Sequence, residues 1–263
     1  MMLSGSAAIG TGATVPLGDL LGLGWPGALA VWTIPAALAA VAWLPQTRAH
    51  TPPSTPPPAR SLLRDALAWQ VTVFFGLQAL TFYALLAWLP TIYRGYGYSA
   101  AEAGFLLSLS GLVQIPIALV LPALLTRAAN QIPHIVVATT VFAAGVAGVL
   151  LAPTSAPYLW MVLLGVGSGA CFATGLTLFV LRTDRPSDTA RLSAMAQSIG
   201  YVITAFGPLL AGVLFDLTGS WTIPLLLLLL LMVPQLWTGI LAGRQRHLSH
   251  HTDQRQQAAD QPG

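Results

Sequence analysis

Between Arg191 and Asp216 the chain runs for 24 residues without a charged side chain. As an α-helix such a run is about 36 Å long, enough to cross a hydrocarbon core of roughly 30 Å. No other feature of the sequence limits the fold so tightly. The segment 191–221, RLSAMAQSIGYVITAFGPLLAGVLFDLTGSW, opens in an Arg-containing loop and closes on an Asp and a Thr-Gly turn. It is not uniformly apolar. Gln197, Tyr201 and Thr204 fall at i, i+4 and i+7 and share one face, while Gly200, Gly207 and Gly212 leave room for close backbone approach. A membrane helix with a polar face and a small-residue face looks inward, to a bundle or a cavity.

Composition agrees with that reading. Charged residues make up 7% of the chain, against about 25% in ordinary soluble domains. Mean hydropathy is +0.72. So few charges cannot dress the surface of a globular protein, so the solvent for most of the chain is lipid. The net charge of +3 comes from 11 arginines and no lysine, scattered in short loops, which excludes a nucleic-acid-binding face. A single cysteine, Cys171, excludes an internal disulfide and a multi-cysteine metal site; its apolar, glycine-rich setting makes it a packing residue. The first residues carry no basic stretch ahead of their apolar run, so a secretory signal is not expected. They read as a membrane helix entered part-way along, as in a fragment.

Four regions follow in order. Residues 1–46 hold two membrane helices, a short one over 1–20 and a clearer one over 27–45 with Trp25 and Trp43 near its ends. Residues 47–65 are a Pro-rich linker, with five prolines among the seven residues 52–58, which favours extended, solvated backbone. Residues 66–243 carry six candidate spans, over 66–90, 100–122, 133–151, 157–181, 190–215 and 221–243, joined by short connections that suit antiparallel neighbours. Residues 244–263 are a polar tail, expected to be disordered, whose His247, His250 and His251 are solvated rather than ligands. With the linker on the cytoplasmic side, ten of the 11 arginines fall on that side and only Arg94 on the other. The positive-inside rule then puts linker and C-terminus in the cytoplasm, in a multi-pass protein of the cell's inner (plasma) membrane.

No Asp, Glu, Arg or His lies near the middle of any span. Neutral polar and aromatic residues cluster there instead. Span one after the linker has Phe74, Phe75, Gln78 and Phe82 on one face with Tyr83 beside it. Span two has Ser110 and Gln114, four residues apart; span four has Ser168 and Thr174 with a Gly165/Gly169 small-residue pair. Span five has Gln197, Tyr201 and Thr204. Span six carries seven consecutive leucines, 225–231, and span three only Thr139 and Thr140, so these two are expected to be peripheral. The expected cavity lining is therefore Phe75, Gln78, Phe82, Tyr83, Ser110, Gln114, Ser168, Gln197, Tyr201 and Thr204, with Gln78, Gln114 and Tyr201 as the leading solute contacts. A membrane-embedded enzyme would need a nucleophile with a base, or metal ligands, at this depth, and the sequence supplies neither a carboxylate nor a histidine there.

Two runs carry a resemblance. WQVTVFFGLQALTFYALLAWLPTIY followed by SLSGLVQIPIALVLPALLTR is similar to the seventh and eighth helices of the cyanate and 2-nitroimidazole transporters of the major facilitator superfamily. LRTDRPSDTARLSAMAQSIGYVITAFGPLLAGVLFDLTGSW resembles the tenth helix's end, the following loop and the eleventh helix. The resemblance implies an all-α membrane bundle: a complete C-terminal six-helix half plus the fifth and sixth helices of the N-terminal half, with helices one to four absent. It implies a secondary transporter of a small solute, cyanate- or nitroimidazole-like, working as a monomer in the lipid bilayer by alternating access, without cofactor, metal or nucleic acid. The other expectation is a truncated membrane fragment that does not transport. One departure stands out. The superfamily's loop after its eighth helix carries an Asp-Arg pair, and here Arg127 keeps the Arg while Thr126 stands at the Asp. Arg127 and Arg191 are the loop and gating candidates at the cytoplasmic face, and the ion pair expected of Arg127 cannot form locally.

Overall fold

The computed structural model describes residues 22, 26–27, 30–47, 62–246 and 248. The chain divides into two compact units, 1–60 and 61–263. In the first, helix α1 spans Thr33–Thr47 and covers the C-terminal part of the span expected over 27–45. Ile34, Leu38 and Val41 are exposed along it within this unit. The helix expected over 1–20 and the linker residues 48–61 lie outside the described residues.

The second unit holds six helices, each long and apolar enough to cross a membrane: α2 (Ala66–Gly95), α3 (Ala100–Arg127), α4 (Ile132–Leu151), α5 (Pro157–Leu181), α6 (Pro186–Thr218) and α7 (Thr222–Gly243). Local chemistry sets their starts. Asp65 caps α2 by accepting from the Leu67 and Ala68 amides at 2.8 and 3.4 Å. Ser99 and Glu102 form a reciprocal capping box at α3, which satisfies amide donors that the helix itself leaves unpaired. Proline opens α5 and α6 and stands at the second position of α4, where its missing N–H costs nothing. Helix α6 ends on Gly219 at φ 64°, a left-handed conformation that suits glycine. The helix begins at Pro186, so Arg191 sits inside its second turn rather than in a loop, and its 33 residues reach about 50 Å.

The interior of the unit is α2 and α5. Two-thirds of the apolar span of each is buried, against 6% for α3 and 22% for α6. Helix α6 packs along α2, α3 and α4 along α5, and α7 against α2 and α4. Glycines set how closely these pairs approach. Gly76 of α2 faces Gly200 of α6. A Cβ on Gly207 would stand 2.6 Å from the Leu80 carbonyl oxygen, and one on Gly167 would overlap the Phe142 backbone of α4. The Gly165/Gly169 pair lies against Ser110 and Gln114 of α3, as its four-residue spacing suggests.

Helix α7 is not lipid-facing all round. Leu225, Leu228, Met232, Gln235, Gly239 and Ala242 make a buried stripe at helical spacing, while Leu226, Leu230, Val233 and Trp237 are exposed. A run of identical leucines hides the sidedness that its neighbours in the stripe reveal. At the surface away from the linker, the Trp88 indole donates to the Pro208 carbonyl at 2.8 Å, and Trp221 stacks on Phe215 with centroids 4.2 Å apart. This aromatic cluster ties α2, α6 and α7 at the depth where an interfacial belt belongs.

Candidate functional site

Gln78 lies 12 residues into α2, about 18 Å from its start and near mid-membrane depth. It is 1% exposed, and its Oε1 has no hydrogen-bond partner. An unpaired buried acceptor costs about 1–3 kcal/mol. One turn nearer the linker, Phe75 is fully buried; its ring meets Phe172 at 6.2 Å, Phe179 at 5.6 Å and Tyr201 at 5.9 Å edge-on. Gly175 of α5 and Gly200 of α6 leave the space that this ring fills. Phe75 is thus a packed wedge between α5 and α6. On the far side of Gln78, half-buried Phe82 stands edge-on to Tyr83 with centroids 5.3 Å apart. Tyr83 and Tyr201 are 39% and 42% exposed, so two aromatic rings bearing hydroxyls reach the open face of the bundle at this depth.

The remaining expected residues divide by where their hydrogen bonds go. Gln114 of α3 donates to Ser168 Oγ of α5 at 3.3 Å, joining two helices, and Ser168 in turn donates to the Leu164 carbonyl at 2.6 Å. Ser110 donates back to the Leu107 carbonyl, and Gln197 donates to Ser193 Oγ one turn away at 2.6 Å. Thr204 is buried on the α2-facing side and donates to the Gly200 carbonyl at 2.8 Å. The threonine's spacing from Tyr201 placed it on the polar face; the packing of Gly200 and Gly207 against α2 draws it into the helix contact. Among the described residues no hydrogen bond joins Gln78, Gln114 and Gln197 to one another. What the structure brings together is Phe75 with Tyr201, Phe82 with Tyr83, and Gln114 with Ser168.

Two polar arrangements are absent from the sequence expectations. The first joins the supposedly peripheral helices: Gln235 of α7 donates from Nε2 to Cys171 Sγ of α5 at 3.6 Å, and Thr139 of α4 lies 3.8 Å from the same sulfur. All three are buried, and Gln235 Oε1 has no partner. A glutamine in an otherwise apolar span is costly toward lipid, and that rule alone would have turned it inward.

The second centres on Arg182, which follows α5 and is 3% exposed. Its Nε donates to the Ala242 carbonyl at 2.7 Å, Nη1 to Leu181 at 3.1 Å, and Nη2 to Gly243 at 3.0 Å and to Gln131 Oε1 at 2.5 Å. All four acceptors are neutral. Three are carbonyls at the C-terminal ends of α5 and α7, where each helix dipole presents about half a negative charge. Two such ends offset one guanidinium. Burial lowers the Arg182 pKa from the ordinary arginine value, and the group still keeps its proton. Hydrogen bonds to a charged group contribute about 1.5–3 kcal/mol each, so the four together amount to several kcal/mol. Arg127, by contrast, is exposed and makes no hydrogen bond or ion pair among the described residues. The tail is held here as well: Leu248 is buried and its amide donates to the Arg182 carbonyl at 3.1 Å, while Gln245 Nε2 donates to the Ala129 carbonyl. Its first residues are therefore attached to the bundle.

Among the described residues, six apolar helices of membrane-spanning length form an all-helical bundle with amides and tyrosines at mid-depth and no Asp, Glu, Arg or His in the middle turns of the helices. Residues 2–203 match the sequence profile of the Major Facilitator Superfamily, and the chain belongs to that family. It is 36% identical over 256 residues to the uncharacterized transporter YycB of Bacillus subtilis (strain 168), covering 96% of this chain and 63% of YycB. It is 37% identical to the 2-nitroimidazole transporter of Escherichia coli (strain K12), over 94% of this chain and 64% of that protein. With the cyanate transport protein CynX of the same organism the identity is 32%, over 81% and 59%. The chain thus spans somewhat under two-thirds of the length of these relatives.

Proposed function

We propose that the protein is a secondary transporter that moves a small solute, a cyanate- or nitroimidazole-like molecule or anion, across the inner membrane by alternating access, as a monomer, with linker and C-terminus in the cytoplasm. The observation that carries this reading is the mid-depth set of Gln78, Phe82, Tyr83, Gln114 and Tyr201, in a bundle whose relatives are named as transporters. Amides and hydroxyls orient a polar molecule, and aromatic faces stack on a flat one. The set supplies no counter-charge, so an anion would draw its compensation from outside these helices. Relatives named for 2-nitroimidazole and cyanate transport support a small, conjugated solute. The orientation rests on the arginine count. Burial removes Arg182 from the loop charges, and nine arginines against one still favour the same side.

The chain reconstituted in lipid vesicles is expected to take up radiolabelled 2-nitroimidazole or cyanate with saturable kinetics. Gln78→Ala removes one acceptor worth about 1–1.5 kcal/mol to a bound solute and is expected to raise KM roughly five- to tenfold at unchanged membrane content. Wild-type kinetics in that variant would remove Gln78 from the site.

A further inference from the structure

We propose that Arg182 is the fixed joint of the linker side of the bundle, holding the ends of α4, α5 and α7 and the start of the tail as one body that stays closed while the rest of the protein moves. The part of this that concerns movement rests on the transport reading above. The joint is built from five pieces of chain. Arg182 reaches Leu181 on α5, Ala242 and Gly243 on α7, and Gln131 in the connection from α3 to α4. Gln131 is itself 4% exposed and passes the network on through Nε2, which donates to the Leu125 and Ala128 carbonyls at 3.2 and 2.9 Å. The tail crosses the same place, with Leu248 bonded to Arg182 and Gln245 to Ala129.

Opening such a joint would strand a buried cation, an amide oxygen and three helix-end carbonyls at once. A contact broken in every transport cycle would have to be cheap, and this one is not. Its chemistry also explains why the loop after α3 tolerates threonine at position 126. The loop's attachment runs through Gln131 and Arg182, and the exposed Arg127 takes no part in it. A gate that closes the linker side must then lie elsewhere, on helices outside the joint.

Beside the joint is a cavity of about 600 Å³, lined among others by Ala129, Gln131, Arg182 and Gln245. It gives a reagent access to both ends of the tail contact. In the full chain, Ala129→Cys and Gln245→Cys are combined and bridged with a short bis-methanethiosulfonate reagent in lipid vesicles. Fully buried Cys171 stays unlabelled. The bridge is expected to form, and uptake of 2-nitroimidazole or cyanate to remain within twofold of the unbridged protein. Arg182→Ala is expected to lower the maximal uptake rate more than tenfold at unchanged KM. Adding the bridge to that variant should restore the rate to within threefold and recover at least half of the lost melting temperature. A bridge that forms and stops uptake overturns the proposal, as does failure of the bridge to form, or a bridge that rescues neither rate nor melting temperature. If the unbridged wild-type chain takes up neither solute, the transport reading falls instead. The joint then stands or falls on bridge formation and thermal recovery alone.

Discussion

Replacing Gly167 with valine is expected to destabilise the packing of α4 on α5 severely. In an exposed helix, exchanging glycine for valine is a gain of only about 0.3 kcal/mol in helix propensity. Gly167, however, faces the N and Cα of Phe142 on α4, and a Cβ there would overlap main chain rather than a movable side chain. Backbone cannot swing aside, so α4 and α5 must separate along a contact that also includes Gly145 against Leu164. Overpacking of this kind costs about 1–3 kcal/mol for added methylenes where side chains give way. Against backbone, and in a membrane where helix association depends on van der Waals packing, the cost lies at or above the top of that range. The melting temperature in detergent is expected to fall by on the order of 10 °C, or the protein to be lost from the membrane. Gly111→Ala on α3 is the control: nothing lies within 4 Å of its Cβ, so its melting temperature should hold or rise slightly. Fluorescence-detected size exclusion after heating measures both. Equal behaviour of the two variants would show that α4 and α5 do not approach as closely as the structure has them.

The helix order could be read from the chain because a span announces itself through length and absence of charge, and both are local. Residues 191–221 show where local reading ends. Their uncharged length fixed a helix, yet its start moved back to Pro186 and its polar face split, with Tyr201 exposed and Thr204 packed against α2. The spacing i, i+4, i+7 names one side of a helix; which part of that side meets a neighbour depends on the neighbour's glycines. Arg182 was legible only as a topology charge. Its partners are carbonyls some 60 residues away, and a backbone carbonyl leaves no mark on a sequence. No local signal pointed to them: the last turn of α7 contains no basic residue, but the same is true of α4, α5 and α6. Gln235 was overshadowed by the leucines before it, although a lone amide at that depth had to find protein rather than lipid.

Gln78 and Gln235 pose the same physical question and are expected to answer it differently. Each is fully buried at depth in a span, and each carries an Oε1 without a partner. Exchanging either for leucine, similar in length and volume, removes an orphan acceptor at little packing cost, and such exchanges are near neutral or stabilising. Gln235→Leu forfeits only a weak 3.6 Å contact to Cys171 Sγ. Both variants are therefore expected to melt at or a few degrees above the parent, corresponding to a gain of about 1–2 kcal/mol. Transport should separate them. Gln235 sits among Cys171 and Thr139, on α5 and α4, and its loss should leave KM and the maximal rate alone. Gln78 lies between the aromatic pairs Phe75–Tyr201 and Phe82–Tyr83. There leucine deletes the acceptor and adds apolar bulk, so uptake should fall tenfold or more through KM. Parallel melting curves with divergent kinetics would assign the cost of the orphan on α2 to solute recognition. If both variants melt together and transport together, the two glutamines are equivalent packing residues, and the solute must be recognised by Gln114 and the exposed tyrosines instead.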